Sequence, residues 1–183
     1  MRNPFLVGKK IYLRGLTRTD LSGPMFQWAN DPEVTHFMFM GWRPNTEEGL
    51  QKEYDAAISG DTNVLFAICD KKTDLHIGNA GLHDIRWISR SAEYRIIIGN
   101  QKFWNKGVGQ ETAKLLTAYG FSKLNLNKIW LGVNKDNKAG VQSYKKSGFV
   151  EEGILRQEIY RNGKYYDAVR MSILRQEHHG AKS

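Results

Sequence analysis

The residues with the most legible chemistry lie between Glu93 and Phe149. Trp104-Asn105-Lys106-Gly107-Val108-Gly109 is a short turn that follows the β-branched run Ile96, Ile97 and Ile98. It precedes Val108, Thr112, Leu115, Leu116 and Tyr119, which recur at helical spacing. A strand feeding a glycine-containing turn at a helix start suits an anion. Glycine permits close backbone approach, and the unpaired N–H groups of the first helical turn point at the guest. The guest this pattern predicts is a phosphate. About thirty residues on, after the apolar positions Ile129, Leu131 and Val133, come Asn137, Tyr144, Lys146, Gly148 and Phe149. Cys69, the only cysteine, sits in the apolar run Val64 to Cys69 and reads as a small buried residue rather than a nucleophile.

Elements must hold these groups in place. Lys10 to Leu16 reads as a first strand, and Asp20 is expected to cap a helix ending near Trp28, with Pro24 in or near its first turn. Asn45 and Glu48 give a capping box for a helix to about Ser59. Strands are expected over residues 63–70 and 75–87, joined by a turn at residues 71–74. Two more, over 149–160 and 164–174, are joined by Arg161-Asn162-Gly163. Asn-Gly between strand patterns signals a hairpin whose type I′ turn needs positive φ at both central residues. A helix running from Val108 through Tyr119 and another over 139–147 complete an α+β reading: a mixed, mostly antiparallel central sheet flanked by helices.

The two clusters together resemble the acetyl-CoA site of the GNAT superfamily of N-acetyltransferases. Gly107 and Gly109 match its Gln/Arg-x-x-Gly-x-Gly/Ala turn, with Trp104 in the Gln/Arg slot as in the RimJ/RimL-like branch. Asn105 replaces that branch's glycine, and Asn tolerates left-handed geometry better than most residues. Asn137 through Phe149 match the superfamily's Asn-x-x-(Ser/Ala)…Tyr-x-Lys-x-Gly-Phe segment, with Gly140 in the Ser/Ala slot. Trp28-Ala29-Asn30-Asp31-Pro32-Glu33-Val34 and Ile77-Gly78 are also similar to that branch, as they are to spermidine and amino-sugar N-acetyltransferases.

The resemblance implies the GNAT fold, acetyl-CoA as cosubstrate, no metal, and transfer of its acetyl group to a primary amine by direct attack. A free alkylammonium titrates near ~10.4, so only about one molecule in a thousand is nucleophilic at neutral pH. The site must therefore help deprotonate it. Glu93 is the candidate base, directly or through a water, against a structural pairing with Arg90 or Arg95; His83 and Asp84 are its reserves. Tyr144 is the candidate acid beside the thioester sulfur, since a phenol can protonate a thiolate whose conjugate acid titrates near ~8.5. Backbone amides at Ile98 and Gly99 would hold the pantetheine arm and polarise the carbonyl. Trp104, Asn105, Lys106, Gly107, Val108 and Gly109 would cradle the pyrophosphate, with Asn137 and Lys146 as further cofactor contacts. Phe39 and Trp42 are candidates for walling the acceptor pocket with His83 and Asp84, against simple packing on the sheet.

Net charge sharpens this. Residues 1–90 carry 11 Lys/Arg against 11 Asp/Glu, whereas residues 91–183 carry 16 against 8, so the whole excess of +8 falls on the cofactor half. Lys102, Lys106, Lys135, Lys138, Lys145 and Lys146 are positioned to attract coenzyme A phosphates, although part of them read as ordinary solvated charges. A nucleic-acid surface competes, but no signature of one is present and none is expected as a partner. No apolar run approaches the ~18 residues of a membrane span, and the first residues lack a signal-peptide core. With one cysteine, that fits the cytoplasm. Residues 1–176 read as one GNAT domain and 177–183 as a disordered tail. The acceptor stays open among a small amine or nucleotide-linked amino sugar, a polyamine and a ribosomal-protein N-terminus. A non-catalytic acyl-CoA sensor on the same fold is the alternative of a different class. The reading admits a homodimer, on which the sequence gives no handle.

Overall fold

A computed structural model of the chain describes residues 1–38 and 40–179. The chain opens with β1 (Leu6–Val7) and β2 (Ile11–Gly15). A helical stretch follows: α1 (Arg18–Asp20), a π turn over Leu21–Met25, α2 (Phe26–Asn30), α3 (Pro32–Thr35) and α4 (Glu47–Ile58). β3 (Val64–Asp70), β4 (His76–Arg86) and β5 (Ser91–Ile97) come next, then the turn Gln101–Phe103 and α5 (Val108–Ser122). β6 (Lys128–Asn134), α6 (Lys138–Lys146), β7 (Val150–Arg161), β8 (Lys164–Leu174) and α7 (Arg175–His179) complete the described residues. The strands form one sheet in the order β1-β2-β3-β4-β5-β6-β8-β7. Only β5 and β6 run parallel, as the α5 crossover requires. The expected mixed, mostly antiparallel α+β sheet is thus observed.

One face of the sheet packs on α5. Leu82, Ala92, Tyr94, Ile129, Leu131 and Val133 meet Val108, Ala113, Leu116 and Phe121 there in the main core. Strand alternation sends the intervening residues to the opposite face, where Ile97 packs with Trp28 and Val34.

The feature that positions the site is a gap in the ladder. β5 and β6 pair only at Ser91↔Lys128, Ala92↔Ile129 and Glu93↔Trp130. Beyond Glu93, β5 stays paired to β4 as far as Ile97, and β6 stays paired to β8 as far as Asn134. The two parallel strands therefore diverge into a wedge, and their facing edges carry backbone N–H and C=O groups with no strand partner.

Several local expectations shift. The cap of α1 is Thr17, not Asp20; Asp20 is the third helical residue, and its carboxylate accepts from Thr17 N at 2.9 Å and from both Arg14 guanidinium nitrogens. The helix breaks at Gly23 (φ −94°, ψ −137°) and restarts with Pro24. Thr46 rather than Asn45 caps α4, its hydroxyl accepting from Gly49 N at 3.0 Å. Asn45 is instead occupied with Ala29 O and Asn30. Asn162 (φ 48°) and Gly163 (φ 79°) adopt the left-handed pair expected of the hairpin. The turn of α7 runs through residues assigned to the tail, with Glu177 accepting from Leu174 N at 2.7 Å.

Candidate active site

The turn before α5 has the geometry its glycines suggested. Asn105 (φ 58°) and Gly107 (φ 82°) are both left-handed, and Gly107 is the helix N-cap. A glycine cap has no side chain to occupy the first-turn amides. The intrahelical ladder begins only at Glu111 N→Gly107 O, leaving Val108, Gly109 and Gln110 N–H for an anion at the positive end of the helix. Lys10 pins the turn from outside, donating from Nζ to Lys106 O at 2.8 Å and from its backbone N to the Glu111 carboxylate at 2.9 Å.

Trp104 adds an anchor rather than a cradle. Its indole Nε1 donates to Ile98 O at 2.7 Å, and its ring packs beside Trp28, Val34 and Ile97. Lys106 lies over the Phe103 ring and Lys146 is exposed at the end of α6. Lys135 and Lys145 are already paired with Asp167 and Glu151.

The edge of the wedge, Ile98-Gly99, is held by Trp28. A Cβ on Gly99 would lie 1.8 Å from Trp28 Cδ2, so only glycine lets the indole cover the strand end. Trp28 is itself set by a buried polar chain. Arg14 grips Asp20 through two nitrogens at 2.6 and 2.7 Å. Asp20 lies 3.4 Å from His76 Nδ1, and His76 Nε2 lies 2.7 Å from Asn79 Oδ1, with the His76 ring edge-on to Trp28. Burial pushes the Asp20 carboxyl up, but Arg14 and Thr17 outweigh it and bring it down to about 2. Burial keeps His76 below its ordinary value, hence neutral at physiological pH. Asn79 Nδ2, at the end of the chain and level with Ile97, is buried with no partner.

Glu93 and Tyr144 flank the mouth of the wedge. Glu93 is the last β5 residue paired to β6. Its carboxylate is bound by Arg95, at 2.6 Å to Nη2 and 3.0 Å to Nε, not by Arg90. The side chain is 16% exposed while that of Arg95 is 60% exposed, so an exposed cation covers a carboxylate at the sheet surface. Tyr94, the next residue, points to the opposite face, and there its ring meets Tyr144 edge-on at 6.1 Å, with Phe149 completing the cluster. Burial raises the Tyr144 phenol to about 12, so it is protonated at every physiological pH. The Tyr94 hydroxyl beside it is buried without a hydrogen-bond partner. A carboxylate on one face and a neutral phenol on the other are thus separated by the gap between the strands.

The remaining sequence candidates divide. His83 lies directly across from Glu93 on β4, and burial, then Arg95, lower it to about 4, leaving it neutral. Asp84 sits on a bulge at φ 49°, exposed and paired with Arg86 at 2.8 Å, away from Glu93. Trp42 is 73% exposed and stacked by Arg43 rather than packed on the sheet. Phe39 lies outside the described residues. Asn137 caps α6 by accepting from Gly140 N at 2.9 Å, which leaves its Nδ2 as the donor free for a guest. A Cβ at Gly140 would sit 2.8 Å from that amide, so a larger residue in this slot would require the Asn137 side chain to shift.

Sequence reasoning missed Trp130 and Arg170. Trp130 pairs with Glu93, and the Arg170 guanidinium stacks 4.0 Å from the Trp130 ring. It also missed Arg161, which donates to the carbonyls of Met38 and Met40 and so ties the loop after α3 to the end of β7. The +8 charge was the only available signal, and it does not say which cation is unpaired.

Comparison with known proteins agrees with this geometry. The model of the acetyltransferase (GNAT) domain family matches residues 10–150. The spermidine N(1)-acetyltransferase of Escherichia coli K12 is 34% identical over 169 residues, covering 92% of this chain and 88% of that protein. That of Vibrio cholerae is 33% identical over 94% of this chain and 97% of the relative. The crystal structure of spermidine N-acetyltransferase from Vibrio cholerae, in complex with CoA and spermine, superposes with a TM-score of 0.85 at 32% identity. It covers 93% of this chain and 99% of that one.

Proposed function

This chain belongs to the GNAT acetyltransferase family and moves the acetyl group of acetyl-CoA to a primary amine, and we propose that Glu93 and Tyr144 carry the proton transfers on opposite faces of the wedge between β5 and β6. The observation that carries the proposal is that wedge, opening at Glu93↔Trp130 with the carboxylate on one face and Tyr144 beside Tyr94 on the other. The residues fit the cosubstrate. Uncapped first-turn amides of α5 suit a pyrophosphate, and open strand edges suit an amide-bearing arm. A buried Tyr94 hydroxyl and Asn79 amide without partners are donors that a guest can satisfy. Acetyl-CoA supplies the activated acetyl thioester.

The amine enters from the Glu93 face. Arg95 covers the Glu93 carboxylate, and displacing that exposed cation frees an oxygen to accept the ammonium proton, directly or through a water. His83 stays neutral beside it and adds no repelling charge. The Ile98-Gly99 amides, fixed by Trp28 and by the Trp104 bond to Ile98 O, polarise the carbonyl. Tyr144 acts on the departing sulfur. Full transfer from a phenol near 12 to a thiolate near ~8.5 is uphill by roughly 5 kcal/mol. Tyr144 therefore acts chiefly by donating a hydrogen bond that strengthens as negative charge grows on sulfur, with proton transfer late.

The acceptor is a small primary amine. Spermidine, named for the relatives above, is the first to test. Thiol release from acetyl-CoA, with the acetylated amine identified by mass, is the test across polyamines, amino sugars and N-terminal peptides. Turnover confined to peptides would refute the small-amine reading.

A further inference from the structure

The sheet face that carries Glu93 also carries a cation that is in no ion pair among the described residues. Register places Glu93, Trp130 and Ser172 in one row across β5, β6 and β8, and Ser91 and Lys128 in the next. Alternation puts their side chains on the same face. Arg170, opposite Gly132 on β6, lies against the Trp130 ring with its guanidinium carbon 4.0 Å from the centroid. The neighbouring cations are neutralised: Arg95 by Glu93, Arg86 by Asp84, and Lys128 by Glu152. Arg170 is in no ion pair among the described residues, and its Nε is buried with no hydrogen-bond partner. A buried N–H of a guanidinium left unmade is costly and calls for an acceptor.

The surroundings supply a place for one. Arg86, Ser91, Lys128, Trp130, Glu152 and Arg170 line a cleft of about 340 Å³. Three cations and one carboxylate line it, but Arg86 is paired with Asp84 and Lys128 with Glu152, whose carboxylate also accepts from Ser172 Oγ at 2.8 Å and feels the Arg170 charge, so Arg170 is the lining cation outside any ion pair. Ser91 and Trp130, at the edge of the cleft, are the same-face and cross-strand neighbours of Glu93. A second amine reaching from Glu93 into the cleft would meet the Arg170 charge. An anion there meets a planar fork of donors held flat on an aromatic ring.

We propose that Arg170, stacked on Trp130, is a specificity residue that receives an anionic group, a carboxylate or a phosphate, carried by the acceptor amine a few bonds from its nitrogen. This rests on the reading of Glu93 as the amine side of the site. A guanidinium–anion contact at a half-buried stacked arginine is expected to favour the anionic acceptor about tenfold over a neutral one of equal length.

The test is calorimetric binding to the protein saturated with CoA, so that it does not depend on turnover. Four acceptors of matched chain length are compared: a neutral primary alkylamine, an ω-amino carboxylate, an ω-aminoalkyl phosphate and a diamine. The expected order places at least one anionic amine about tenfold tighter than the neutral one, and the diamine weakest; the two anionic arms separate carboxylate from phosphate. In Arg170→Met, which keeps the packing on Trp130 and removes the charge, the gap between anionic and neutral amines closes, while Arg170→Lys keeps part of it. Equal affinities in the wild-type protein, tighter binding of the diamine, or a gap unchanged in Arg170→Met would overturn the proposal. Thiol release with the same amines reads the acetyl-transfer assignment separately. A binding gap without turnover would sink the assigned chemistry but not the anion site.

Discussion

Gly99→Ala probes the link between the sheet and the cosubstrate site. The added methyl would stand 1.8 Å from Trp28 Cδ2, 2.2 Å from Cγ and 2.4 Å from Cε2, all far inside contact distance. The obstacle is not a flexible side-chain end. Trp28 is 8% exposed, lies edge-on to His76 and packs with Val34 and Ile97, so the ring has nowhere to retreat without moving the Arg14–Asp20–His76 chain beneath it. Overpacking of this kind costs about 1–3 kcal/mol. In a chain of 183 residues, about 2 kcal/mol lowers Tm by roughly 4–8 °C. Because the alternative relief is displacement of Ile98-Gly99, the KM for acetyl-CoA should rise with the loss of stability. Thermal melts and steady-state kinetics read both. Trp28→Leu empties the space, so the double variant should be less destabilised than the sum of the single changes by about 1–3 kcal/mol. An unchanged Tm and KM in Gly99→Ala, or strict additivity in the cycle, would refute the claim that Trp28 sets the wedge edge.

Three further outcomes follow from the same geometry. Glu93→Gln should lower kcat by about 10²–10⁴ at neutral pH and recover part of the loss as pH rises toward the amine's own pKa; a pH-independent loss would point to a structural carboxylate. Asp20 titrates near 2 in the folded chain against ~3.9 unfolded, so its stabilisation is present above the unfolded value and lost as pH falls through the folded one. It amounts to about 2.5 kcal/mol, and urea titrations of Asp20→Asn should show that deficit at pH 6 shrinking below pH 3. His83 titrates near 4 in the folded chain against ~6.5 unfolded, so the folded state is fully favoured above pH 6.5 and loses about 3 kcal/mol as pH falls from there to 4. His83→Gln should flatten that slope, and an unaltered slope would count against burial as its cause.

What the sequence made legible was local. The Asn105–Gly109 turn, the Asn162-Gly163 hairpin and α5 are specified by residues a few positions apart, and Asn and glycine are the residue types that best tolerate the left-handed geometry found at Asn105 and Gly107. The cap errors at Asp20 and Asn45 share one cause. Each residue has the right chemistry for a cap but is claimed by a partner from another segment, Arg14 for Asp20 and Ala29 and Asn30 for Asn45. Glu93 and Tyr144 were readable as candidates because each lies in a recognisable segment. Their placement across a gap was not, since the gap arises where two neighbouring pairings of β5 and β6 outlast the one between them. Trp28 over Gly99 and Arg170 on Trp130 join residues far apart in the chain, and no local period encodes either contact.

The most direct measurement of the central claim is single-turnover acetyl transfer in wild type and Tyr144→Phe, with acetyl-CoA affinity measured in parallel. The account predicts a rate constant lower by about 10²–10⁴ in the variant with affinity essentially unchanged, because it assigns the lost hydroxyl to the departing sulfur and leaves the phosphate turn at the start of α5 untouched. A variant that transfers acetyl at the wild-type rate, or one that fails only by losing acetyl-CoA, would contradict it.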